Sequence, residues 1–232
     1  MYSGITGLLY QGGSGSDLFV AGPGSNVTLT GAAQETIYAN TGSGSWNLSN
    51  TSQAYFGGGG GADSVTFGNT SATLWGNTNE NFVVLPSSGT QSVHAVAFGD
   101  NDDLNLFSTS GHDSVVMWNA NIGTGGTSTD FTGNTTLTAS NAGNDLLAMF
   151  AGSQFGTPAE GAHTITVFNW ESTDTFDLSF AQDASGNYLA GYTAADADSA
   201  TTQLASGHSF TLSDGTTVVF ASTAKPMTIE HI

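Results

Sequence analysis

The nonapeptide GGSGSDLFV, residues Gly12–Val20, decides the fold, because it has the pattern GGxGxDxUx in which U is a large apolar residue. The segment Gly58–Thr66, GGGGADSVT, repeats that pattern almost letter for letter. Such nonapeptides are typical of parallel β-coils in which glycine-rich turns alternate with very short strands. Glycine adopts backbone angles that are closed to residues with a Cβ, and the central apolar side chain of each strand points inward. The two segments therefore predict a coiled β-structure.

Apolar residues recur at a step of about nine residues from the first nonapeptide onward. They are Phe19, Leu29, Ile37, Leu48, Phe56, Val65, Leu74 and Val83. A helix would space them three and four apart, and an ordinary strand would alternate over a longer run. Two steps make a circuit of about 18 residues, which stacks equivalent side chains about 4.8 Å apart. We therefore predict an all-β fold, in which a right-handed parallel β-roll or β-helix occupies residues 1–160.

The C-terminal part, residues 161–232, has a different pattern. Thr164–Trp170 is typical of a longer strand, and Ala194–Ala205 could form a short helix. The apolar runs Phe210–Leu212 and Thr217–Phe220 flank an Asp-Gly pair, which is a strong hairpin signal. Because the last coil of a solenoid exposes an unpaired edge, we expect a β-rich C-terminal cap here.

Oxygen-bearing side chains return at the turns. Asp17 plus 18 is Glu35, and Asp63 plus 18 is Asn81. Further along, aspartates crowd together or precede apolar residues at Asp100, Asp102, Asp103, Asp113 and Asp145. Carboxylate and amide oxygens are the ligands that Ca²⁺ prefers, so all these residues are candidate calcium ligands. The alternative is that Asn and Asp merely suit tight, solvated turns.

The chain is strongly acidic. Its 232 residues include 1 Lys or Arg and 19 Asp or Glu, which gives a net charge of −18. Such a charge repels nucleic acid and anionic lipid headgroups, and we expect neither as a partner. With 38 % hydrophobic residues, the chain is too apolar for a disordered acidic tail. Cysteine is absent, which excludes disulfides and thiolate metal sites.

The sequence carries no ordinary targeting signal. Its first ten residues, MYSGITGLLY, contain neither a basic region nor a long apolar region, and no window has the length of a membrane span. Calcium motifs of the extracellular type would stay empty at cytosolic calcium levels. We therefore expect an extracellular or cell-surface protein that is secreted without a cleaved N-terminal signal peptide.

No catalytic pattern stands out. The sequence lacks a cysteine nucleophile, an H-E-x-x-H pair, a G-x-S-x-G elbow and a P-loop. The lone Lys225 lies beside Pro226, which is an improbable position for a Schiff base or a phosphate clamp. We therefore expect that the protein is not an enzyme.

Histidine and aromatic residues leave two alternatives open. His94 and His112 are 18 residues apart and could stack as a zinc pair or a pH switch, or simply be two surface histidines. The aromatic residues on or near the coils could form a sugar-stacking face or belong to the core. They are Trp46, Tyr55, Phe56, Trp75 and Trp118.

The motifs resemble the RTX (repeats-in-toxin) family, whose members are exported by type I secretion. The resemblance covers Gly12–Thr66, and Phe98–Ala148 in degraded form. It implies a roll that folds on meeting extracellular Ca²⁺, and a C-terminal region that caps the roll and holds an uncleaved secretion signal. The ligands that it implies are Gly13, Gly15, Asp17, Gly59, Gly61 and Asp63. Only two nonapeptides are complete, and they lie 46 residues apart (63 minus 17), so the number of ions stays open.

These features together predict a secreted, calcium-stabilised structural or adhesive protein. We expect it to self-associate at the cell surface, in extracellular matrix or in filaments, as a homo-oligomer joined through solenoid ends or faces. Ile5, Leu8 and Leu9 resemble a partial first coil, which would be an open edge or a cut through a longer solenoid. The alternative function is an extracellular polysaccharide-binding module of a carbohydrate-active protein, with a cell-surface glycan as its partner.

Overall fold

The computed structural model describes most of the chain in short segments. They are residues 6–20, 22, 24–31, 33–39, 43–57, 63–68, 70–75, 81–85, 93–98, 103–105, 113–119, 134–139, 143–151, 164–178, 192–213 and 215–231. Strands dominate these segments, with one helix near the C-terminal end.

Two sheets contain the strands. Sheet A consists of β1 (Thr6–Gln11), β3 (Asn26–Thr30), β5 (Ser45–Ser49), β7 (Ser64–Gly68), β9 (Asn81–Leu85), β11 (Asp103–Asn105), β13 (Asn134–Thr138), β15 (Thr164–Phe168), β18 (Thr217–Phe220) and β17 (Ser209–Thr211), in that spatial order. Sheet B runs from β16 (Thr175–Leu178) through β14 (Leu146–Ala151), β12 (Ser114–Asn119), β10 (Val93–Phe98), β8 (Ser71–Trp75), β6 (Gln53–Gly57) and β4 (Gln34–Tyr38) to β2 (Ser16–Val20).

The chain alternates between the two sheets, because odd-numbered strands up to β15 lie in sheet A and even-numbered strands up to β16 lie in sheet B. Every pair is parallel except β17 with β18, which is antiparallel. From β3 to β16, each strand therefore lies beside the strand two steps earlier in the sequence, as in a coil. The predicted parallel β-solenoid is confirmed, while its handedness stays a prediction.

The core lies between the sheets and follows the alternation of each short strand. Leu29, Ile37, Leu48, Phe56 and Leu74 have no exposed surface, while the residues between them in the strands point outward. Burial of one such side chain contributes roughly 1.5–3 kcal/mol, so the stacked apolar residues supply most of the driving force for coiling.

Register differs from the fixed circuit of 18 residues that the sequence suggested. Asp17 does lie opposite Glu35. Asn81, however, lies opposite Ser64 instead of Asp63. His94 lies opposite Ser114, so the register argues against the alternative in which His94 and His112 stack. Inward apolar residues fix the register of each strand, whereas the turns between strands vary in length.

The cap combines a helix with the hairpin. Helix α1 spans Ala194–Ser206. Its N-cap residue is Thr193, and the side chains of Thr193 and Asp196 form a capping box. Strands β17 and β18 pair antiparallel, which confirms the predicted hairpin. Sheet pairing is parallel from β13 through β15 to β18, so the coil continues across residue 160 into the cap. The boundary predicted there stays a prediction.

Candidate functional site

Two carboxylates face each other inside the N-terminal end of sheet B. Asp17 is the second residue of β2 and Glu35 the second residue of β4, and they are direct partners across the ladder, where strands are about 4.8 Å apart. Leu18 points outward at 64 % exposure, so its neighbour Asp17 points inward. Glu35 has no exposed surface at all.

This pair lacks the hydrogen bonds that buried carboxylates normally have. Both oxygens of Glu35, Oδ2 of Asp17 and Oγ1 of Thr51 are buried without a hydrogen-bond partner. Such groups cost roughly 1–3 kcal/mol each, more when charged. The two carboxylates and the Thr51 hydroxyl beside Glu35 provide hard oxygen atoms of the kind that a cation such as Ca²⁺ prefers.

Electrostatics at the pair favour protonation in the absence of a cation. Burial raises the pKa of Glu35, the nearby Thr51 hydroxyl offsets part of that rise, and the negative charge of Asp17 raises it further. The pKa of the Tyr10 hydroxyl is also raised, first of all by burial. The negative charge of Asp17, to which the Tyr10 hydroxyl donates a hydrogen bond, raises that pKa further. The Tyr10 ring also packs edge-on against Phe19, with ring centroids 4.9 Å apart.

The same inward column changes character along sheet B. Glu35 is followed by Ala54 and Ala72, which lie opposite one another in register. In backbone register, Val93 follows Ala72. The next positions form an aspartate ladder, which we define as Asp113, Asp145 and Asp174, the residues that precede β12, β14 and β16. Acidic residues therefore occupy both ends of one column, and apolar residues occupy its middle.

The aspartate ladder is satisfied by the protein itself. The Asp113 N–H donates to Oδ1 of Asp145 at 3.1 Å, and the Asp145 N–H donates to Oδ1 of Asp174 at 3.0 Å. The other oxygen of Asp174 accepts the Glu171 N–H at 2.8 Å. Burial raises the pKa of Asp174, and the hydrogen bonds that it accepts from the N–H groups of Glu171 and Asp145 offset part of that rise. Asp145 and Asp174 thus each accept the N–H of the aspartate in the previous coil.

Asp63 has a similar structural role in sheet A. It is 1 % exposed, and its Oδ1 accepts the Gly44 N–H at 2.8 Å and the Trp46 indole N–H at 3.3 Å. No room exists for a side chain at Gly44, where an added Cβ would lie 2.9 Å from that Oδ1. Asp63 therefore connects two coils through protein donors.

The glycines predicted as ligands behave differently from the expectation. The Gly15 carbonyl accepts the N–H groups of Ala33 and Gln34, at 3.2 and 3.4 Å. Neither Gly13 nor Gly15 has a positive φ, and a Cβ at either position would meet nothing within 4 Å. The expectation that these two glycines need angles closed to other residues is therefore wrong.

The structure describes only some of the remaining predicted calcium ligands. Asn81 and Asp103 are direct register partners on β9 and β11. Gly59, Gly61, Asp100 and Asp102 lie outside the described residues. Within the described segments, no three His, Asp or Glu side chains converge on one metal position. Calcium binding by the whole predicted set stays a prediction.

Sequence reasoning missed two members of the N-terminal cluster. Thr51 lies in the turn between β5 and β6, and Tyr10 lies on β1 of the other sheet. Neither belongs to a nonapeptide, and only the assembled coil places them beside Glu35 and Asp17. The one available signal was the charged residue at Glu35, at an inward position where the neighbouring strand has Ala54.

The C-terminal edges of both sheets are covered. On sheet A, the Gln203 side chain of α1 accepts the Thr211 N–H at 3.0 Å and donates to the Thr211 carbonyl at 3.1 Å, as a neighbouring strand would. On sheet B, Glu230 bonds to the side of β16 that faces away from β14: its carbonyl accepts the Leu178 N–H and its N–H donates to the Phe176 carbonyl, each at 2.9 Å. Lys225 donates to the carbonyls of Leu204 and Gly207 and thereby caps α1.

Among the residues that the structure describes, none covers the N-terminal edges in this way. In the described part of the chain, β1 pairs only with β3 and β2 pairs only with β4. The Gly12 N–H bonds to Thr30, so by alternation the backbone groups of Leu9 and Gln11 point away from β3. A bulge at Gly7, where φ is +79°, disrupts only the start of β1. We call the free sides of β1 and β2 the open end.

The fold and these two ends define a parallel β-solenoid that is closed at its C-terminal end. Comparisons with protein-family models, with curated proteins and with solved structures yield no match to this chain. The RTX resemblance therefore remains a prediction from the motifs. Across the described segments, no helix has the length and apolar character needed to cross a membrane.

Proposed function

We propose that this protein is a secreted structural or adhesive component of the cell surface or extracellular matrix, and that copies of it associate through the open end. Support comes chiefly from the contrast between the uncovered edges of β1 and β2 and the covered edges of β16 and β17. Uncovered strand edges are templates for pairing with another chain. The open end carries only weak protections: the bulge at Gly7 disrupts the start of β1, the one charge of β2, Asp17, points inward, and neither strand has a lysine or a proline.

Association through one end gives a closed assembly. Because the same surface would meet itself, the contact is isologous and joins two copies about a two-fold axis. Strand pairing across such an axis is antiparallel, and the exposed side chains Leu9, Leu18 and Val20 would be partly covered at the junction. Filaments would need a second contact on the solenoid faces. The pair is therefore the basic unit that we propose.

Calcium is the proposed stabiliser of this end. Asp17, Glu35 and Thr51 fit a hard cation, since the two carboxylates are register partners and the Thr51 hydroxyl lies beside Glu35. A bound Ca²⁺ would neutralise the two carboxylates. The residues of the chain hold the ligands in place: the ladder between β2 and β4 fixes Asp17 against Glu35, and the Tyr10 hydroxyl orients Asp17. Because the site lies within the first coils, occupancy would order the strands that form the junction.

Sedimentation equilibrium tests the association. The wild type in excess Ca²⁺ should have twice the monomer mass, and chelator should shift it toward monomer. Leu9→Lys adds charge to β1 at a residue that is 71 % exposed, so the variant should fold normally and stay monomeric. Met227→Lys makes the same change at an 82 % exposed residue of the cap and should still dimerise. A monomeric wild type, or dimers of Leu9→Lys, would refute the open-end contact.

Calorimetric titration with CaCl₂ tests the cation separately. Wild type should bind Ca²⁺, and Glu35→Gln should bind at least about tenfold more weakly because one of two carboxylates is lost. Asp198→Asn removes a charge from an exposed position of α1 and serves as the control. Equal calcium affinity in Glu35→Gln and wild type would contradict the assignment of this site, even if the protein dimerises.

A further inference from the structure

A shallow groove lies on the outer face of sheet B, the opposite face from the acid pair, and begins one strand in from the open edge of β2. It has a volume of about 620 Å³, within the usual range for small-ligand sites. The outward side chains of Thr36, Tyr38 and Tyr55 line it, together with Gly57 and the backbone of the buried residues between them. Tyr38 is 56 % exposed.

The absent side chain at Gly57 makes room for the groove. Gly57 is the register partner of Tyr38, and an added Cβ there would lie 3.5 Å from Tyr38 Cδ1. The Tyr38 ring therefore lies against the glycine backbone. Tyr55 lies opposite Thr36, so the two tyrosines are diagonal neighbours, about 7–8 Å apart along the sheet. Two phenol rings at this spacing form an apolar platform with hydroxyl groups at its border.

The absence of charged residues in the groove, together with the negative charge of the chain, limits the chemical class of ligand that could bind there. None of the groove residues is charged, whereas the whole chain carries −18. An anionic ligand would be repelled by the chain, and a cation would find no carboxylate in the groove. The fitting ligand is neutral, has one apolar face for the aromatic rings and carries hydroxyl groups for Thr36 and the tyrosines. Neutral sugar rings have this combination of properties.

We propose that Tyr38, Tyr55, Thr36 and Gly57 form a binding groove for a neutral oligosaccharide. The groove lies on the outer face of β4 and β6 and is complete within one copy, so ligand binding there does not require the association of two copies. It gives a solenoid of the proposed structural class a direct means of attachment to a polysaccharide. Tyr38 and Tyr55 provide stacking surfaces, and Gly57 provides the space for a ring beside Tyr38.

Titration of intrinsic tyrosine and tryptophan fluorescence with four neutral hexasaccharides tests the groove. The probes are the β-1,4-linked oligomers of glucose, xylose and N-acetylglucosamine, and α-1,4-linked maltohexaose, with hexagalacturonate as the anionic comparison. At least one neutral probe should bind saturably and at least about tenfold more tightly than hexagalacturonate. No saturable binding by any neutral probe, or equal binding of hexagalacturonate, would overturn the proposal.

Variants locate the binding. Tyr38→Ala and Tyr55→Ala should each weaken it about tenfold, the amount expected for loss of one aromatic stacking contact, while Tyr38→Phe should keep it within about threefold. Gly57→Thr suits a strand, fills the space beside Tyr38 and should weaken binding about tenfold. Phe168→Ala removes a 42 % exposed ring from sheet A and should have no effect.

Circular dichroism of each variant establishes that it is folded before its affinity is compared. Binding should also persist in the monomeric variant Leu9→Lys, because the groove is complete within one copy. Unchanged affinity in both tyrosine-to-alanine variants, or loss of binding in folded Leu9→Lys, would contradict the assignment.

Discussion

The two ends of the solenoid satisfy their backbone and their buried carboxylates in different ways. At the C-terminal end, Gln203 and Glu230 cover the sheet edges, and Asp113, Asp145 and Asp174 each have protein partners. At the N-terminal end, β1 and β2 have free sides in the described chain, and the oxygens of Glu35 lack donors. The C-terminal end has both sheet edges covered and leaves the buried indole N–H of Trp170 without a hydrogen bond, whereas the N-terminal end has free strand edges and buried carboxylate oxygens that a second molecule or an ion could satisfy.

This difference shows where a coil can carry function. In a solenoid each coil contacts only its neighbours, so an interior coil is supported on both sides and an end coil on one. A cap replaces the missing neighbour with side chains from the same chain. Where no cap is present, the stability of the end coil depends on partners that bind it. We therefore expect the open end to be the part of the molecule whose stability changes most with ions and with association.

The largest effect is expected from the aromatic cluster of the cap. Phe176 is 1 % exposed and packs edge-on against Phe210 and Phe220, with centroids 5.4 and 5.8 Å away. Phe176→Ala should lower the free energy of unfolding by about 3–5 kcal/mol, through lost burial and a cavity. Phe19→Ala at the open end should cost about half of that or less, because Phe19 is only half-buried.

Urea unfolding followed by circular dichroism measures both changes, and Phe168→Ala is the exposed control, expected within about 0.5 kcal/mol of wild type. Equal losses for Phe176→Ala and Phe19→Ala would remove the energetic contrast between the two ends.

The turns at the two ends should also differ in their need for glycine. Gly143 has φ of +66°, and an added Cβ would lie 2.3 Å from Thr173 Oγ1, the group that accepts the Asn144 N–H. Gly143→Ala should therefore lower the free energy of unfolding by about 1–2 kcal/mol. Gly13→Ala should change it by less than about 0.5 kcal/mol, since nothing surrounds that position. Thermal unfolding measures both, and a larger loss at Gly13 would mean that the nonapeptide glycine is structurally required.

Much of the fold could be predicted from the sequence, because inward apolar residues at a nine-residue step have few alternative arrangements. Phe19, Ile37 and Phe56 do stack in one column, and the hairpin around Gly215 has the predicted pairing. The turns could not be predicted in the same way. Their lengths vary, so adding 18 identifies the partner of Asp17 and misses the partner of Asp63. Spacing predicts a register only where the turns have constant length.

The candidate site could be predicted only in part, because identical residue types have different surroundings. Asp17 and Asp145 both precede an apolar residue in a D-x-Φ pattern. One lies beside Glu35 with an oxygen that lacks a donor, and the other accepts the N–H of Asp113. The difference comes from the neighbouring coil, which contributes a carboxylate in one case and a backbone donor in the other. The sequence pattern around one aspartate contains no information on which residues of the neighbouring coil will lie beside it.

Acid should act in opposite directions at the two ends. The pKa of Glu35 is raised above its ordinary value of 4.5 by burial, so the folded protein holds this proton more tightly than the unfolded chain does. Without calcium, stability from this group is fully present below pH 4.5 and is lost as the pH rises through the folded pKa. The pKa of Asp196 is lowered from 3.8 because its hydrogen bonds, first of all from the Thr193 backbone, outweigh its burial. Stability from Asp196 is therefore lost as the pH falls through its folded pKa.

Variants separate these two contributions. Glu35→Gln should raise the free energy of unfolding at neutral pH without calcium by about 1 kcal/mol and remove the gain on acidification toward pH 4.5. Asp196→Asn should flatten the loss below pH 3.8 and leave the Glu35 response intact. Urea unfolding of the calcium-free protein between pH 3 and pH 8 measures both profiles. A wild type whose stability falls steadily from pH 7 to pH 4.5, unchanged by Glu35→Gln, would contradict the buried-acid assignment.

The smallest effect concerns the residue that closes sheet A. Gln203→Ala removes two hydrogen bonds to Thr211 at a solvent-exposed edge, so the free energy of unfolding should fall by only about 1 kcal/mol. The edge of β17 would then resemble the open end. Gln203→Glu keeps the acceptor for the Thr211 N–H and adds a negative charge to the edge. This variant should therefore lose only about half of the stability that Gln203→Ala loses, and its β17 edge should not pair with another copy.

In sedimentation, Gln203→Ala should form species larger than the pair, because a second open edge allows contacts to continue beyond two copies. If Gln203→Ala lost stability without any change in association, a free strand edge would be insufficient for pairing, and the open end would need its calcium-ordered coil or its exposed Leu9 and Leu18 to bind a second copy.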